Sequence, residues 1–364
     1  MHISEIDTPA LAVDLDIMER NLRRVADYSR EHGLRLRPHT KTHKSPVIGR
    51  RQVALGAVGL TVAKVGEAEV MQAAEPPDLL VAYPVLGRSK LDRLMEVAAT
   101  TRVTVSLDSL VAAQQLSAAA KQTMREIGVL AEFDAGLGRV GVAPGAELLD
   151  LARAIQRLPG LRFEGLAFYP GYIKAGGEEA RKAIQNLSGL VKSIREDFSR
   201  AGIKVNIVSG GSTPSLYQSH EVAGLTEIRP GTYVYNDLNT VISGACTLED
   251  CAASVLVTVA STAHAGQVII DGGSKTFSSD RLNLADTVTF GRVVEAPACV
   301  FHKMNEEHGF VDVTQAGRSF AVGDRLRLIP NHVCVVMNLH ESVYGVRGEQ
   351  VEEIWKVEGR GKLR

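Results

Sequence analysis

The stretch LRLRPHTKTHKSP, residues 34–46, decides the fold, because an apolar strand pattern runs directly into a loop of histidines and lysines. It opens a series of eight short apolar runs that alternate with helical patterns. The other seven are VGLTV (58–62), DLLVAYP (78–84), RVTVSLD (102–108), GVLAEFDAG (128–136), RFEGLAFYP (162–170), KVNIVSGGS (204–212) and LTEIRPGTY (225–233). Strands and helices that alternate at this spacing predict parallel βαβ units, and eight of them predict an α/β fold of the (β/α)8 TIM-barrel type.

The last third of the chain follows a different pattern. Beyond residue 245, strand-like runs separated by Gly, Asp and Asn turns replace the helical segments, and HVCVVMNL (332–339) is one of these runs. This pattern predicts a compact antiparallel β domain. We therefore expect a barrel over residues 1–245 and a β domain over residues 246–364, with the first strand, in TPALAVDLD (8–16), able to join either.

Composition and charge exclude several classes of protein. The 364 residues carry 41 basic and 42 acidic side chains, a net charge of -1, and 45% of them are hydrophobic. This balance is typical of a globular protein and gives no electrostatic attraction to nucleic acid or to an anionic membrane. The N-terminus has no apolar leader, no apolar run reaches the length of about 18 residues that spans a membrane, and the four cysteines are widely spaced, so we expect a cytoplasmic protein.

The loop after the first strand contains the most unusual candidate site. Active sites of (β/α)8 barrels lie at the carboxyl ends of the strands, and Lys41 follows the strand there, with Lys44 as a rival in the same motif. A lysine amine shielded from water at this position becomes a nucleophile that forms imines. The alternative interpretation is a solvated basic turn.

Two further strand ends carry candidate binding residues. The glycines of DAGLGRVGV (134–142) leave the backbone close to the barrel mouth, and Arg139 projects among them, with a salt bridge to Asp134 as its alternative role. Tyr169 follows the sixth predicted strand and is either structural or functional. We therefore treat Arg139 and Tyr169 as candidates for binding a ligand at the mouth.

The last two strand ends have the composition of a phosphate site. Barrels hold phosphates there with backbone N–H groups from Gly-rich turns, and this chain has SGGSTPS (209–215) and RPGT (229–232) at those ends. Turn-forming glycines are the alternative. A lysine at the first strand end that faces a phosphate cradle is the arrangement that pyridoxal phosphate (PLP) requires.

Six ordered motifs carry a resemblance to a known family. PHTKTHK, DAGLGRVGV, SGGSTPS, RPGTYVYND, DGGSKTFSSD and PNHVCVVMNL resemble the alanine-racemase-like fold type III PLP enzymes, and within them the D-threonine aldolase and D-serine dehydratase family. The resemblance covers nearly the whole chain. It implies a PLP barrel with a C-terminal β domain, head-to-tail homodimers whose sites the partner's β domain completes, and a divalent metal ion beside the cofactor.

The resemblance also implies roles for single residues. Lys41 matches the lysine that forms the Schiff base with PLP, and Arg139 matches an arginine near the PLP phenolic oxygen or the substrate. Tyr169 matches a tyrosine that contacts the cofactor. The residues that match the phosphate cradle are Ser212, Thr213, Gly231 and Thr232.

His332 and Cys334 match the metal ligands of the family. In a strand, residues i and i+2 point to the same face, so the pair would present an imidazole and a thiolate side by side. Such a pair suits zinc, and manganese and magnesium are the other ions that we consider. A core histidine and a buried thiol are the alternative for the same two residues.

Some positions depart from the family pattern or have no assigned role. FYPGYIK (168–174) has Tyr172 where the family often has a histidine, which leaves open the base that handles the substrate's hydroxyl group. Four residues in turns of the β domain either reach a neighbouring subunit's site or form turns and salt bridges: Asp271, Lys275, Glu307 and His308.

The resemblance implies a PLP- and metal-dependent lyase that acts on D-3-hydroxy amino acids. We favour retro-aldol cleavage of a D-threonine-like substrate to glycine and an aldehyde. Cys334 favours the alternative, a dehydratase of D-serine or D-3-hydroxyaspartate that yields a keto acid and ammonia. The remoter alternatives are a racemase, for which Tyr344 is the only tyrosine of the β domain available as a second base, and a non-catalytic PLP carrier, a class that lacks the β domain.

Overall fold

The structure, a computed structural model, describes residues 1–174, 176–284 and 287–364. These residues form two compact units. The unit that we call the barrel unit comprises Arg23–Lys41, Ser45–Gly231 and Gly361–Arg364, and the sheet unit comprises Met1–Leu22, Thr42–Lys44 and Thr232–Arg360. The main change of unit therefore falls between residues 231 and 232, earlier in the chain than the expected boundary at residue 245.

The strands, in chain order, are β1 (Ala10–Asp14), β2 (Arg35–Leu36), β3 (Leu60–Val62), β4 (Leu79–Val81), β5 (Val103–Leu107), β6 (Ile127–Glu132), β7 (Leu161–Ala167), β8 (Ile207–Gly210), β9 (Glu227–Ile228), β10 (Ala253–His264), β11 (Gln267–Ile270), β12 (Leu282–Leu284), β13 (Thr287–Thr289), β14 (Gly291–Val293), β15 (Val300–Met304), β16 (Gly309–Asp312), β17 (Arg325–Pro330), β18 (Ser342–Arg347) and β19 (Gln350–Lys356). The α-helices are α1 (Leu15–Glu31), α2 (Pro46–Ala54), α3 (Val65–Met71), α4 (Arg88–Val97), α5 (Leu110–Gln122), α6 (Ala146–Arg157), α7 (Gly177–Arg200), α8 (Leu238–Ile242), α9 (Ser274–Phe277) and α10 (Val333–Leu339). None of the described helices is both long and apolar enough to cross a membrane.

The described strands of the barrel unit form one sheet of eight parallel strands, in the order β2-β9-β8-β7-β6-β5-β4-β3. A parallel bridge between His39 and Thr61 joins the two ends of this sheet. Next to it, the Val58 N–H donates to the Leu36 carbonyl at 2.9 Å, and the Thr61 N–H donates to the Pro38 carbonyl at 2.8 Å. The ring of strands is therefore closed, and the predicted strands and (β/α)8 barrel are confirmed.

Apolar side chains at regular spacing hold the barrel together. All of β5 is buried, as expected for a parallel strand that is covered on both faces. In α6, the buried residues recur at intervals of three and four: Leu148, Leu151, Ala152 and Ile155. A one-sided apolar stripe of this kind packs a helix against the sheet and leaves its other face to solvent.

The main sheet of the sheet unit has the order β15-β16-β11-β10-β1-β18-β19, and β17 and β14 extend it from β10. The predicted β domain is confirmed. The strand β1 pairs antiparallel with β10 and parallel with β18, so the first strand of the chain belongs to this unit. It leads directly into α1, where Asp14 Oδ1 accepts a hydrogen bond from the Ile17 N–H at 2.9 Å. An aspartate in this position caps the free N–H groups of a helix start.

One predicted strand is wrong. The segment HVCVVMNL forms helix α10, and His332 is its N-cap residue. A short apolar run fits both the strand and the helix period. Here the buried residues Val333, Val336 and Met337 recur at intervals that one helix face requires. His332 and Cys334 therefore lie in the first turn of a helix and do not share one face of a strand.

Candidate functional site

Lys41, Arg139 and Tyr169 come together at the carboxyl ends of the barrel strands. Lys41 is half-buried in the loop after β2, and Arg139 and Tyr169 lie in the loops after β6 and β7. The Lys41 Nζ is 5.9 Å from the centroid of the Tyr169 ring, and the Arg139 guanidinium carbon is 4.6 Å from the same centroid. Two cations therefore approach one aromatic ring, a contact that the ring's negative face favours.

Asp134 shapes the loop that carries Arg139. Its Oδ1 accepts backbone hydrogen bonds from Gly136 and Leu137 at 2.9 Å and from Gly138 at 3.1 Å. The bonds from Gly138 and Gly136 contribute most to holding the pKa of Asp134 below its ordinary value. The carboxylate is thus committed to the loop backbone rather than to a salt bridge with Arg139, whose guanidinium packs on an aromatic ring instead.

Tyr172 lies beside this loop. A Cβ placed on Gly136 would be 3.7 Å from the Tyr172 ring, which is an ordinary contact distance. Burial, and after it the charge of Asp134, raises the pKa of the Tyr172 hydroxyl above its ordinary value. The phenol is therefore protonated at neutral pH and is suited to donate a hydrogen bond, not to act as a base.

The loop after β8 has the features of an anion cradle. The hydroxyls of Ser212 and Ser215 are 3.1 Å apart, and the buried Thr213 Oγ1 has no hydrogen-bond partner among the described residues. Burying a hydroxyl without a hydrogen-bond partner costs free energy, so this hydroxyl suggests that a ligand oxygen is its partner. Gly210 lies so close to Phe168 that an added Cβ would be 2.3 Å from the ring. The close approach at Gly210 is internal packing, whereas the unpaired Thr213 hydroxyl fits a phosphate oxygen.

The other two predicted cradle residues fall at the change of unit. Gly231 is buried and ends the central segment of the barrel unit, whereas Thr232 belongs to the sheet unit. The Thr232 hydroxyl is 3.8 Å from Cys334 Sγ. Thr232 therefore lies near a predicted metal ligand within the sheet unit.

His332 and Cys334 lie beside each other in the sheet unit. The interaction with Cys334 raises the pKa of His332 to about 9, against the effect of burial. Burial raises the pKa of the Cys334 thiol, but the interaction with His332 outweighs it and holds that pKa below its ordinary value. Thr42 Oγ1 is 3.2 Å from Cys334 Sγ, and Asp280 Oδ2 is 3.5 Å from His332 Nδ1. The surroundings of Cys334 therefore favour its thiolate form more than an ordinary thiol's would, and the thiolate is the form of cysteine that binds metals.

Sequence reasoning missed two residues that contact the segment with His332 and Cys334, namely Thr42 and Asp237. The Oδ1 of Asp237 accepts a hydrogen bond from the Thr240 N–H at 2.9 Å, and its Oδ2 accepts one from the Val333 N–H at 3.0 Å. An aspartate three residues before a threonine is a signal for the first bond, because this spacing is that of a helix cap. No local pattern signals the second bond, to the first residue of α10.

Two other candidates have structural partners within the sheet unit. Lys44, the rival of Lys41, is buried, and its Nζ donates a hydrogen bond to the Gly359 carbonyl at 3.3 Å. Tyr344 packs against an apolar cluster formed by Ile6, Ala10, Ala12 and Leu256. Lys44 and Tyr344 thus each have a contact within the sheet unit.

The four residues in turns of the β domain also have local contacts. Asp271 Oδ1 accepts a hydrogen bond from the Thr258 N–H at 2.8 Å. Lys275 forms salt bridges with Glu306 at 3.0 Å and Glu307 at 2.7 Å, and the His308 carbonyl accepts a turn hydrogen bond at 2.9 Å. These contacts agree with the turn and salt-bridge alternative.

Comparison with known sequences identifies the family. Residues 13–239 match the family described as alanine racemase, N-terminal domain, and residues 252–346 match a serine dehydratase domain family. The D-threonine aldolase of Arthrobacter sp. is 33% identical over 100% of this chain and 95% of its own length. The D-threo-3-hydroxyaspartate dehydratase of Delftia sp. (strain HT23) is 34% identical over 90% of this chain and 91% of its own length.

Comparison with solved structures agrees. The D-threonine aldolase from Filomicrobium marinum has a TM-score of 0.93 and 31% identity, and the match covers 99% of this chain and 98% of that one. A histidine-to-alanine mutant of D-threo-3-hydroxyaspartate dehydratase and a cysteine-to-alanine mutant in the metal-free form each have a TM-score of 0.89 and 30% identity over 98% of this chain, and over 96% and 98% of their own. The two mutated positions are two residues apart in that enzyme. This chain therefore belongs to the D-threonine aldolase and D-serine dehydratase family of alanine-racemase-like, PLP-dependent enzymes.

Proposed function

We propose that this enzyme is a lyase that uses PLP and a divalent metal ion to cleave D-3-hydroxy amino acids between the α- and β-carbons, giving glycine and an aldehyde from a D-threonine-like substrate. The observation that carries the proposal is that one chain has both reactive groups, Lys41 on the barrel and the pair of His332 and Cys334. The named relatives from Arthrobacter and Delftia act on amino acids with a β-hydroxyl group, which supports this substrate class.

The residues of the barrel unit fit PLP. Its phosphate needs donors, and the buried Thr213 hydroxyl lacks a partner among the residues described. Its aldehyde needs an amine, and Lys41 is half-buried at the mouth, whereas Lys44 is buried with its Nζ on the Gly359 carbonyl. We therefore propose Lys41 as the attachment lysine, and Ser212 and Thr213 as phosphate ligands.

The chain's own side chains orient the reacting groups. PLP supplies, when bound, a conjugated ring that accepts the electron pair released at the α-carbon. Arg139 offers a positive charge to a phenolic oxygen, and Tyr169, which both cations approach, fixes the position of Arg139 and Lys41. The protonated Tyr172 hydroxyl is suited to hold a substrate oxygen by donating a hydrogen bond.

The residues of the sheet unit fit a divalent metal ion. His332 and Cys334 offer a nitrogen and a sulfur ligand, a donor set that suits zinc better than magnesium. Within the described ranges, no group of three His, Cys, Asp or Glu side chains could hold a metal ion, so the proposal relies on this pair with water and substrate as the other ligands. A bound ion would provide Lewis-acid chemistry for the β-hydroxyl group of the substrate. We propose zinc, with manganese and magnesium as the ions to compare.

A dehydratase is the second candidate, and one observation favours it. His332 and Cys334 have the spacing of the histidine and cysteine that were mutated in D-threo-3-hydroxyaspartate dehydratase, whose cysteine mutant is described as metal-free. In this reaction the α-proton and the β-hydroxyl leave the substrate, and hydrolysis yields a keto acid and ammonia. Lys41 is the group of this chain that would accept the α-proton.

Product analysis distinguishes the two candidates. The PLP-loaded enzyme is incubated with D-threonine, D-serine and D-3-hydroxyaspartate, each with added Zn²⁺ or with a chelator, and L-threonine is the control. Glycine together with an aldehyde supports the aldolase, and the chelator should suppress both products. A keto acid with ammonia replaces the aldolase with the dehydratase. No product from any of the three D-amino acids contradicts both candidates.

We also propose that a second copy of this chain covers the barrel mouth. Large apolar side chains are exposed at the carboxyl ends of four consecutive strands, β4 to β7: Tyr83, Leu86, Leu110, Val111, Leu137 and Tyr172. Exposed apolar side chains grouped in this way indicate a contact surface. The sequence resemblance implies a head-to-tail homodimer, in which the partner's β domain would be the cover.

The oligomeric state tests this proposal. Val111→Glu places a charge in the apolar group and should convert a dimer into a monomer in sedimentation experiments, with a loss of turnover. Met124→Glu is the matched control, since Met124 is 92% exposed near the opposite end of the same helix, α5. A monomeric wild-type enzyme, or a dimer that Val111→Glu leaves intact, contradicts the proposal.

We propose a cytoplasmic location. The thiols of Cys246, Cys251, Cys299 and Cys334 are all free in the structure, which suits a reducing compartment. Cys334 must also stay reduced to bind a metal ion. Fractionation of cells that express the protein tests the location directly.

A further inference from the structure

A carboxylate that is distant in sequence holds the segment with His332 and Cys334. Asp237 is buried, and each of its carboxylate oxygens accepts one backbone hydrogen bond. The bond from the Thr240 N–H to Oδ1, 2.9 Å long, closes the capping box of α8. The bond from the Val333 N–H to Oδ2, 3.0 Å long, spans 96 positions of the chain and reaches the first residue of α10.

The helix α10 begins in an unusual way. An N-cap residue is usually Ser, Thr, Asp or Asn, because its short side chain accepts a hydrogen bond from the first turn. Here the N-cap residue is His332, and its side chain makes no capping hydrogen bond. Asp237 caps the helix in its place by accepting from the Val333 N–H. The His332 imidazole is thereby left available to pair with Cys334.

The backbone before His332 is fixed as well. The Asn331 carbonyl accepts a hydrogen bond from the Asn239 N–H at 3.2 Å, near the start of α8. The Asn331 side chain donates to the Asp280 carbonyl at 2.9 Å and to the Thr289 carbonyl at 2.7 Å. The residues on both sides of His332 are therefore bonded to the first turn of α8 or its cap.

We propose that Asp237 is a positioning residue for the metal ligands, because it fixes the backbone between His332 and Cys334. This inference rests on the proposed metal site. A metal ion accepts ligand atoms only within a few tenths of an ångström, and Asp237 cannot move without losing a buried hydrogen bond.

Metal affinity tests the proposal without any measurement of turnover. Asp237→Asn keeps the size of the side chain but replaces one accepting oxygen by an NH₂ group, which cannot accept the bond from a backbone N–H. We expect Zn²⁺ affinity, measured by competition with a chromophoric chelator, to fall by about 10- to 100-fold. The absorption band of the Co²⁺–thiolate complex should shift or weaken. Excess Zn²⁺ should restore full metal loading, since both ligands are intact.

A second variant removes the same bond from its other end. Val333→Pro deletes the N–H that Asp237 accepts, and proline is well tolerated as the first residue of a helix. His332 already has an extended backbone, φ -137 and ψ 97, and so avoids the helical region that proline disfavours in the residue before it. We expect this variant to lower Zn²⁺ affinity as well. It therefore provides the same test if Asp237→Asn does not fold.

Two control variants distinguish positioning from a loss of stability. Asp250→Asn alters another buried carboxylate of the sheet unit, which accepts a bond from the Thr247 N–H at 3.1 Å. Thr240→Ala removes the hydroxyl of the α8 capping box and leaves the bond between Asp237 and Val333 in place. Both controls should keep wild-type Zn²⁺ affinity even where the melting temperature falls.

The outcomes for Asp237 and for the metal site are distinct. A Zn²⁺ affinity of Asp237→Asn equal to that of the two controls overturns the positioning role. If His332→Ala and Cys334→Ala bind Zn²⁺ as tightly as the wild type, the metal site itself is wrong. Loss of affinity in His332→Ala with none in Asp237→Asn or Val333→Pro rejects the role of Asp237 alone.

Discussion

The proposed barrel site and the proposed metal-ligand pair are built in opposite ways. Lys41, Arg139 and Tyr169 come from loops after three different strands, and they meet because parallel strands of a closed barrel end at one rim. His332 and Cys334 are close neighbours in one helical turn, and hydrogen bonds from distant parts of the chain hold that turn. Fold closure therefore forms the first site, whereas a few specific bonds form the second.

The largest effect should follow the loss of Lys41, because the proposed link to PLP is covalent. Lys41→Ala should abolish the visible absorbance of a borohydride-trappable cofactor and lower turnover by about 10⁴-fold or more, as expected when a nucleophile is deleted. Lys44→Ala is the control and should keep the absorbance, since the Lys44 amine is bonded to the Gly359 carbonyl. A Lys41→Ala protein that is still yellow and trappable would move the attachment to Lys44.

The next largest effect should follow the loss of a metal ligand. His332→Ala or Cys334→Ala should leave little metal in elemental analysis and lower turnover by roughly 100-fold, the equivalent of about 3 kcal/mol of Lewis-acid stabilisation. His308→Ala, in an exposed turn of the same unit, is the control. If both ligand variants keep their full metal content, His332 and Cys334 are not the metal ligands.

Thr42 tests whether a single hydrogen bond to Cys334 affects Zn²⁺ binding by the proposed ligand pair. Thr42→Val keeps the shape of the side chain but removes the hydroxyl 3.2 Å from Cys334 Sγ. The loss of one hydrogen bond of about 1 kcal/mol should weaken Zn²⁺ binding about fivefold. Thr40→Val is the matched control, because its hydroxyl bonds to the Thr61 carbonyl in the barrel unit. Equal losses in the two variants would deny Thr42 a specific role.

The smallest effect should be seen for Arg139, because the barrel rim places several side chains around the ligand. Arg139→Lys keeps the charge and loses the flat contact with Tyr169, so PLP affinity of the apoenzyme should fall about two- to fivefold, the equivalent of about 0.5–1 kcal/mol. Arg318→Lys is the control. It removes the same kind of contact in the sheet unit, where the Arg318 guanidinium carbon is 4.6 Å from the centroid of the Phe320 ring. A loss above 100-fold for Arg139→Lys would show that its guanidinium bonds the cofactor directly.

The same contrast explains what the sequence could predict. The barrel signal repeats eight times, so each strand end, and with it Lys41, Arg139 and Tyr169, can be located from periodicity. The segment HVCVVMNL has no repeat to compare with, and its apolar spacing fits a strand and a helix equally well. The hydrogen bond between Asp237 and Val333 joins residues 96 positions apart. Such a contact is decided by tertiary packing, which no local pattern encodes.

The ring of strands is fastened immediately before the proposed attachment lysine. The Thr40 N–H donates to the Thr61 carbonyl at 2.8 Å, and the Thr61 hydroxyl donates to the Arg37 carbonyl at 2.8 Å. These two buried threonines form the seam of the barrel. A cofactor bound covalently to Lys41 would restrain the loop that follows this seam, so amide hydrogen exchange at Thr40 and Thr61 should slow when PLP is attached. Release of PLP and local opening of the barrel at this seam would then be coupled.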